Sequence, residues 1–158
     1  MFKSVRHFLT LWTRESGNTA KVFAGLTDVS LAQRVAPGYR TLGELAWHVA
    51  SSVGHIAWKT GLRFPAPDDK LPPPGKAAEI VAAYEEAAGG LAREVKANWT
   101  DASLEVKDSM YGGDWPRGFT LEIIVLHEIH HRGQMTVLMR QAGLAVPDVY
   151  GPTKDSKR

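Results

Sequence analysis

A chain of 158 residues fits one domain and is short for two; at that size folding buries roughly 68–70% of the unfolded surface, enough for a core without disulfide staples. Apolar residues make up 44% and charged residues 23%, ordinary usage that excludes disordered, collagen-like and fibrous classes. Nineteen basic against seventeen acidic side chains leave a formal charge of +2, too small to argue for nucleic acid or an anionic membrane as a partner.

The opening MFKSVRHFLTLWTRE has a charged, interrupted apolar run without a cleavage-like site, so no signal peptide is expected. Apolar spacing through Val5, Phe8, Leu9, Trp12, Val22 and Phe23 predicts a first helix from about Lys3 to Gly25, and a loop containing Pro37-Gly38 follows. The second helix has the clearest start. Thr41-Leu42-Gly43-Glu44 reads as a capping box, with Thr41 covering an exposed amide and Glu44 reaching back to close it. Leu42, Leu45, Val49, Val53 and Ile56 then recur at three and four, and the helix should end near Gly61.

The stretch FPAPDDKLPPPG from Phe64 to Gly75 has no periodicity, and proline removes amide donors and favours extended chain, so it must be a crossover loop. Its length suggests that two helices run parallel instead of as a tight hairpin. A third helix is expected from about Ala77 to Trp99, with Ile80, Tyr84, Leu91 and Val95 inward. Gly89-Gly90 in its middle implies a close approach or a kink. From Thr100 to Gly118 the pattern is irregular, with Gly112-Gly113 and Trp115-Pro116 as turn signals and a weak hairpin signal from Leu104 to Met110. The fourth helix should open near Thr120 and close at Gly143, ahead of Pro147.

Helix outweighs strand throughout, so the expected fold is an all-α four-helix bundle with a long crossover loop. One domain covers residues 1–158, with a tail frayed from about residue 152, where Lys154–Arg158 is solvated. Trp12, Trp47, Trp58 and Trp99 are expected to pack in the core. No stretch approaches about 18 apolar residues, so no membrane span and a cytoplasmic setting are expected.

The chain has no cysteine, so any metal must be held by imidazole, carboxylate or carbonyl groups. The string LHEIHHRGQ from Leu126 to Gln134 then becomes informative. His127 and His131 lie four apart, one above the other on a helix, where two imidazoles can converge on one ion. Ile124, Gln134 and Leu138 share that face, which points to an inward site; His130 points away. Two imidazoles alone bind weakly. His48 and His55, seven apart on the second helix, each offer a third donor, and spacing does not choose between them. His7 reads as an ordinary surface or satisfied histidine. His127-Glu128-x-x-His131 also fits the HExxH zinc-protease pattern, with Glu128 as base. The missing strand pattern, the lack of a downstream ligand and an expected Glu128–Arg132 helix ion pair outweigh it.

HExHHRGQ on the last long helix, the AGLAVPDVYGP that follows and TLGELAWHVA on the second helix together resemble the DinB-like, damage-inducible superfamily. That resemblance implies an up-down-down-up bundle, commonly a homodimer, with a three-histidine metal site. Mapped by motif, the ligands are His48, His127 and His131, so the resemblance selects His48 over His55. Three imidazoles suit a divalent transition metal such as zinc, nickel, iron or copper, and the resemblance implies, in some members, transfer or isomerisation chemistry with a small thiol such as bacillithiol or mycothiol. Here the thiol would arrive as a co-substrate.

Gln134 and Glu44 are candidates to orient ligands or touch substrate. Three functions stay open: a metal-dependent enzyme activating a small thiol or water for transfer to, or hydrolysis of, a small electrophile; a non-catalytic metal-binding stress-response homodimer; and a metal-free helical dimer.

Overall fold

Apolar residues recurring at three and four along four long segments place one face of each in a common core. In the computed structural model, which describes residues 1–156, these segments are α1 (Val5–Ala24), α2 (Leu42–Ala57), α3 (Ala77–Asn98) and α4 (Arg117–Gln141). α1 and α2 each pack extensively against both α3 and α4, a helical bundle. Phe8, Trp12, Phe23, Leu42, Ile80, Tyr84, Leu91, Leu121, Met135 and Met139 form its fully buried centre.

The capping box at the start of α2 is present as expected. Glu44 N–H donates to Thr41 Oγ1 at 3.1 Å and Thr41 N–H donates to Glu44 Oε2 at 2.6 Å, a cap that stabilises a helix start by about 1 kcal/mol. Beyond α2 a short 3-10 turn, Trp58–Thr60, ends at Gly61 in the left-handed region, a conformation glycine adopts without steric cost.

The proline-rich connector is strapped to the bundle. Trp47 Nε1 donates to Leu71 O at 3.0 Å and Trp58 Nε1 donates to Phe64 O at 3.1 Å. These two indoles are therefore half-buried clamps on the connector, whereas Trp12 and Trp99 are buried as expected. Gly90 explains the glycine pair in α3: a Cβ there would lie 2.8 Å from the Phe64 ring, so the connector's first side chain needs the bare backbone.

The expectation of a purely α fold is corrected at one place. β1 (Lys107–Met110) and β2 (Gly113–Pro116) form a two-stranded antiparallel hairpin in which Met110 faces Gly113 and Asp108 faces Trp115. Trp115-Pro116 thus ends a strand and is no turn; the turn is made by Tyr111-Gly112, with Gly112 at positive φ. α4 starts three residues earlier than expected. Arg117 N–H donates to Val106 O, and Arg117 Nε donates to Asp108 Oδ2 at 2.9 Å, which fastens the hairpin to the helix. Gly118 lies against the chain's opening: a Cβ would stand 2.1 Å from Phe2 O.

The tail also differs from expectation. Thr153 Oγ1 donates to Val146 O at 3.0 Å, Val146 N–H donates to Asp155 Oδ2 at 3.2 Å, and Ser156 bonds Asp148. The segment 152–156 is therefore tied back in hydrogen-bonded turns, and residues 157–158 lie outside the described part. Among the described residues no helix is long and apolar enough to cross a membrane.

Candidate metal centre

The second and fourth helices bring three imidazoles together. His48 of α2 faces His127 and His131 of α4 across the α2–α4 groove, with ring centroids 5.0 Å and 4.7 Å away. The α4 rings are 4.4 Å apart, the consequence of their four-residue spacing. One nitrogen from each ring lies within 4.8 Å of the others, and no fourth His, Asp or Glu joins this group among the described residues.

The donor geometry fits a small divalent ion. His127 Nε2 and His131 Nε2 are 3.1 Å apart, while two legs of roughly 2.0–2.1 Å at octahedral or tetrahedral angles separate nitrogens by about 2.9–3.4 Å. Protonation also fits. Burial, Arg40 and the neighbouring imidazoles hold His48 down to about 4. Burial, then His131 and His48, does the same for His127, also about 4. His131 is lowered by burial, partly offset by its bond to Gln134. All three rings are therefore neutral near pH 7, the form that binds metal.

Gln134 has a defined place. Its Oε1 lies 2.8 Å from His131 Nδ1, so it accepts the Nδ1–H and leaves the lone pair of Nε2 directed at His127 and His48. Its Nε2 lies 3.1 Å from His130 Nε2. His130, expected to point away, instead sets its ring edge-on 4.9 Å from that of His131; it is not one of the three converging donors but anchors the side chain that orients a triad member. That link is invisible in spacing alone, because it depends on a chain of two side-chain hydrogen bonds along the helix surface.

Glu44 does not reach His48. Its carboxylate closes the cap on Thr41 and lines a cleft beside the histidine. His55 stands outside the triad as well. Its Nδ1 is 3.4 Å from Asp69 Oδ2 and its ring stacks on Tyr111, so His48 is the α2 histidine that lies with His127 and His131.

The face carrying the triad is less enclosed than the apolar neighbours Ile124 and Leu138 imply. The three histidines are half-buried and Gln134 is exposed. Two clefts open beside them. One, about 400 Å³, is lined by Arg34, Arg40, Trp47, His48, Ser51 and Asp69 among others. The second, about 540 Å³, is lined by Leu45, His131, Gln134, Val137 and Leu138. Gly38, Tyr39 and Arg40 belong to both. Arg40 is the residue that pattern reading missed, since a lone arginine in a loop carries no periodic signal.

Glu128 faces the other way. It is 2% exposed, its Oε1 accepts from Thr19 Oγ1 of α1 at 2.8 Å, and its Oε2 is buried without a partner. The expected ion pair with Arg132 is absent among the described residues. Arg132, also 2% exposed, instead donates to Glu15 Oε2 at 2.7 Å, Glu15 O at 2.9 Å and Thr19 Oγ1 at 3.0 Å, and bonds Tyr150. Residues 128 and 132 share a helical face about 100° from the 127–131 face, and α1 covers it. Glu128 is thus turned from the triad, which removes the base that a zinc-protease mechanism needs.

The sequence profile of the DinB family matches residues 1–157. The chain is 42% identical over 155 residues to the protein YrdA of Bacillus subtilis strain 168, covering 98% of this chain and 93% of that one. It is similar to the crystal structure of a DinB-like protein from Bacillus cereus, with a TM-score of 0.92 and 40% identity over 95% of this chain and all of the other. A DinB-like protein of Bacillus subtilis, YjoA, shares the fold at a TM-score of 0.70 with 13% identity, over 96% of this chain and 99% of that one.

Proposed function

This chain belongs to the DinB family, and from that premise we propose that it is a metal-dependent enzyme activating a small thiol or water for transfer to, or hydrolysis of, a small electrophile. The observation that carries the proposal is the convergence of one nitrogen each from His48, His127 and His131 within 4.8 Å, on two helices that a bundle core holds rigidly.

When bound, a divalent zinc, nickel or iron ion would supply an acid that lowers the pKa of a thiol or water beside it. His48, His127 and His131 would hold the ion as neutral ligands. Gln134 would keep His131 in the binding tautomer by accepting its Nδ1–H. A centre with three donors leaves room for a reacting group, whereas a fourth protein ligand would close it as a structural site. The apolar wall of Leu45, Val137 and Leu138 suits the uncharged part of an electrophile. With no cysteine in the chain, the thiol would come as a co-substrate.

The test is elemental analysis of protein purified without a nickel column. About one ion per chain is expected, lost in His48→Ala and in His131→Ala but retained in His55→Ala. Equal metal content in all four proteins would refute the assignment.

The same proposal takes the helices as up-down-down-up and the protein as a cytoplasmic homodimer. Support for pairing comes from Leu126, 53% exposed on α4. The second reading is a non-catalytic metal-binding stress-response homodimer, which shares that pairing. Sedimentation gives the mass, and a metal-loaded protein that binds no thiol would favour the second reading over the first.

A further inference from the structure

The second cleft beside the triad takes its walls from three elements. Along α4 it is lined by His131, Gln134, Val137 and Leu138, steps of three and four that keep these side chains on neighbouring parts of one helical face. At 1.5 Å per residue that stretch is about 10 Å long. Leu45 of α2 and Leu138 are buried beneath the cleft, while Val35, Tyr39 and Val137 stand at its rim, 58%, 65% and 52% exposed.

The loop that carries Val35 and Tyr39 is fixed on both sides. An antiparallel bridge joins Arg34 to Thr41, Leu42 N–H donates to Gln33 O at 2.7 Å, and Tyr39 N–H donates to Ala36 O at 3.3 Å around Gly38 at positive φ. Gln33 Nε2 donates to Gln141 Oε1 at 3.4 Å, which ties the loop to α4 beyond Leu138. The cleft therefore runs from His131 at one end to this tie at the other.

Single exposed apolar side chains are ordinary on a protein surface. Here three of them surround one cleft over two buried leucines. Its polar groups, His131, Gln134 and Arg40, leave water along the apolar walls short of partners, and an apolar body displaces such water favourably. The volume of about 540 Å³ falls within the roughly 300–1,000 Å³ of small-molecule sites. Three rim side chains are too few to supply the about 800 Å² per partner that a stable protein interface buries.

We propose that this cleft binds the apolar body of a small molecule about the size of a two-ring arene, with its reacting end directed at His131. This names the class of the electrophile in the reading above and rests on that reading for the chemistry alone, because binding of the apolar body needs no ion.

The probe is N-phenyl-1-naphthylamine, an uncharged arene whose fluorescence rises in apolar surroundings, titrated into the full chain without metal. One probe per chain should bind saturably with micromolar affinity. Val35→Asp and Val137→Asp put a charge on opposite walls and should each weaken binding at least about tenfold. Leu126→Asp, far along α4 and outside the cleft, should leave it within about twofold. All three positions are exposed, so the variants should fold, and thermal melts check this. Cobalt(II) loaded at the triad should quench the bound probe, because the cleft begins at His131. Absent binding, binding undiminished in Val35→Asp and Val137→Asp, or cobalt that loads without quenching would overturn the proposal. So would a dimer that becomes monomeric in Val137→Asp, since a second copy would then cover the cleft. A chain that loads no cobalt yet loses the probe in both variants would overturn the metal reading and uphold the cleft.

Discussion

Metal affinity at the triad should be nearly independent of pH across the range where ordinary imidazoles lose their metals. Protons and metal compete for the same ring nitrogens, so apparent affinity scales with the product of the three neutral fractions. Three unperturbed imidazoles at about 6.5 would lose roughly 50-fold in affinity between pH 7.5 and pH 6. Here burial, the neighbouring imidazoles and the Arg40 charge hold His48 and His127 near 4, so those two stay neutral throughout. His131 is lowered too, and an unperturbed value for it would set the upper bound. The expected loss is therefore at most about fourfold. Isothermal titration with zinc at the two pH values measures it, and repeating the titration in buffers of different ionisation enthalpy should reveal almost no proton release at neutral pH. A loss of about 30-fold or more would refute the reasoning. The same shifts fix a sign for folding without metal. The unfolded chain takes up protons at His48 and His127 below about 6.5 and the folded one resists until about 4, so this stability is present above 6.5 and declines as pH falls through 4. Solvent reaches both half-buried rings, which makes the decline smaller than the full shifts imply.

Burial, hydrogen bonds from Tyr150, Arg132 and Arg14, and the Arg132 charge act together on Glu15; the bonds prevail over burial and hold its carboxyl below the ordinary value. Arg132→Met removes the buried partner of that carboxylate, leaving it Arg14 and Tyr150, and should cost about 3 kcal/mol in urea unfolding, most of it recovered in the double variant with Glu15→Leu; a loss under about 1 kcal/mol would contradict it. Burial pushes Glu128 up to about 7, so the folded state gains protons relative to the unfolded between about 4.5 and 7, and stability falls as pH rises through that window. Glu128→Gln should stabilise by about 2–3 kcal/mol at pH 8, with the gain vanishing near pH 4.5 in denaturation profiles. Gly90→Ala should destabilise by about 1–2 kcal/mol through its clash with Phe64. Gly17→Ala, at an α1 site open to solvent, should gain about 0.5–1 kcal/mol, and two thermal melts decide the pair.

Much of the architecture was legible because helices advertise themselves by periodicity and by their ends. The Thr41–Glu44 box marked the start of α2 to the residue, Gly61 marked the end of the 3-10 turn that follows the helix, and the prolines of 64–75 marked the connector to α3. Elements decided by contacts between distant segments were misread. Trp115-Pro116 looks like a turn but pairs with Lys107 and Asp108. Trp47 and Trp58 have the composition of core residues, yet their indole N–H groups bind connector carbonyls.

The candidate site divides in the same way. The His127–His131 pair was determined by sequence alone, because a four-residue step on a helix stacks side chains regardless of what surrounds it. The opposite orientation of Glu128 follows from that step too, but its partner does not: Arg132 stands at the spacing of an ion pair and turns to Glu15 and Thr19 because α1 covers that face. Whether His48 or His55 completes the triad, how Gln134 leans on His130, and that a loop arginine lines both clefts beside the triad were decided only by the tertiary packing. Local spacing is set by bonded geometry within a helix, whereas partners across a groove depend on how two helices are rotated and shifted, and no short stretch of chain encodes that by itself.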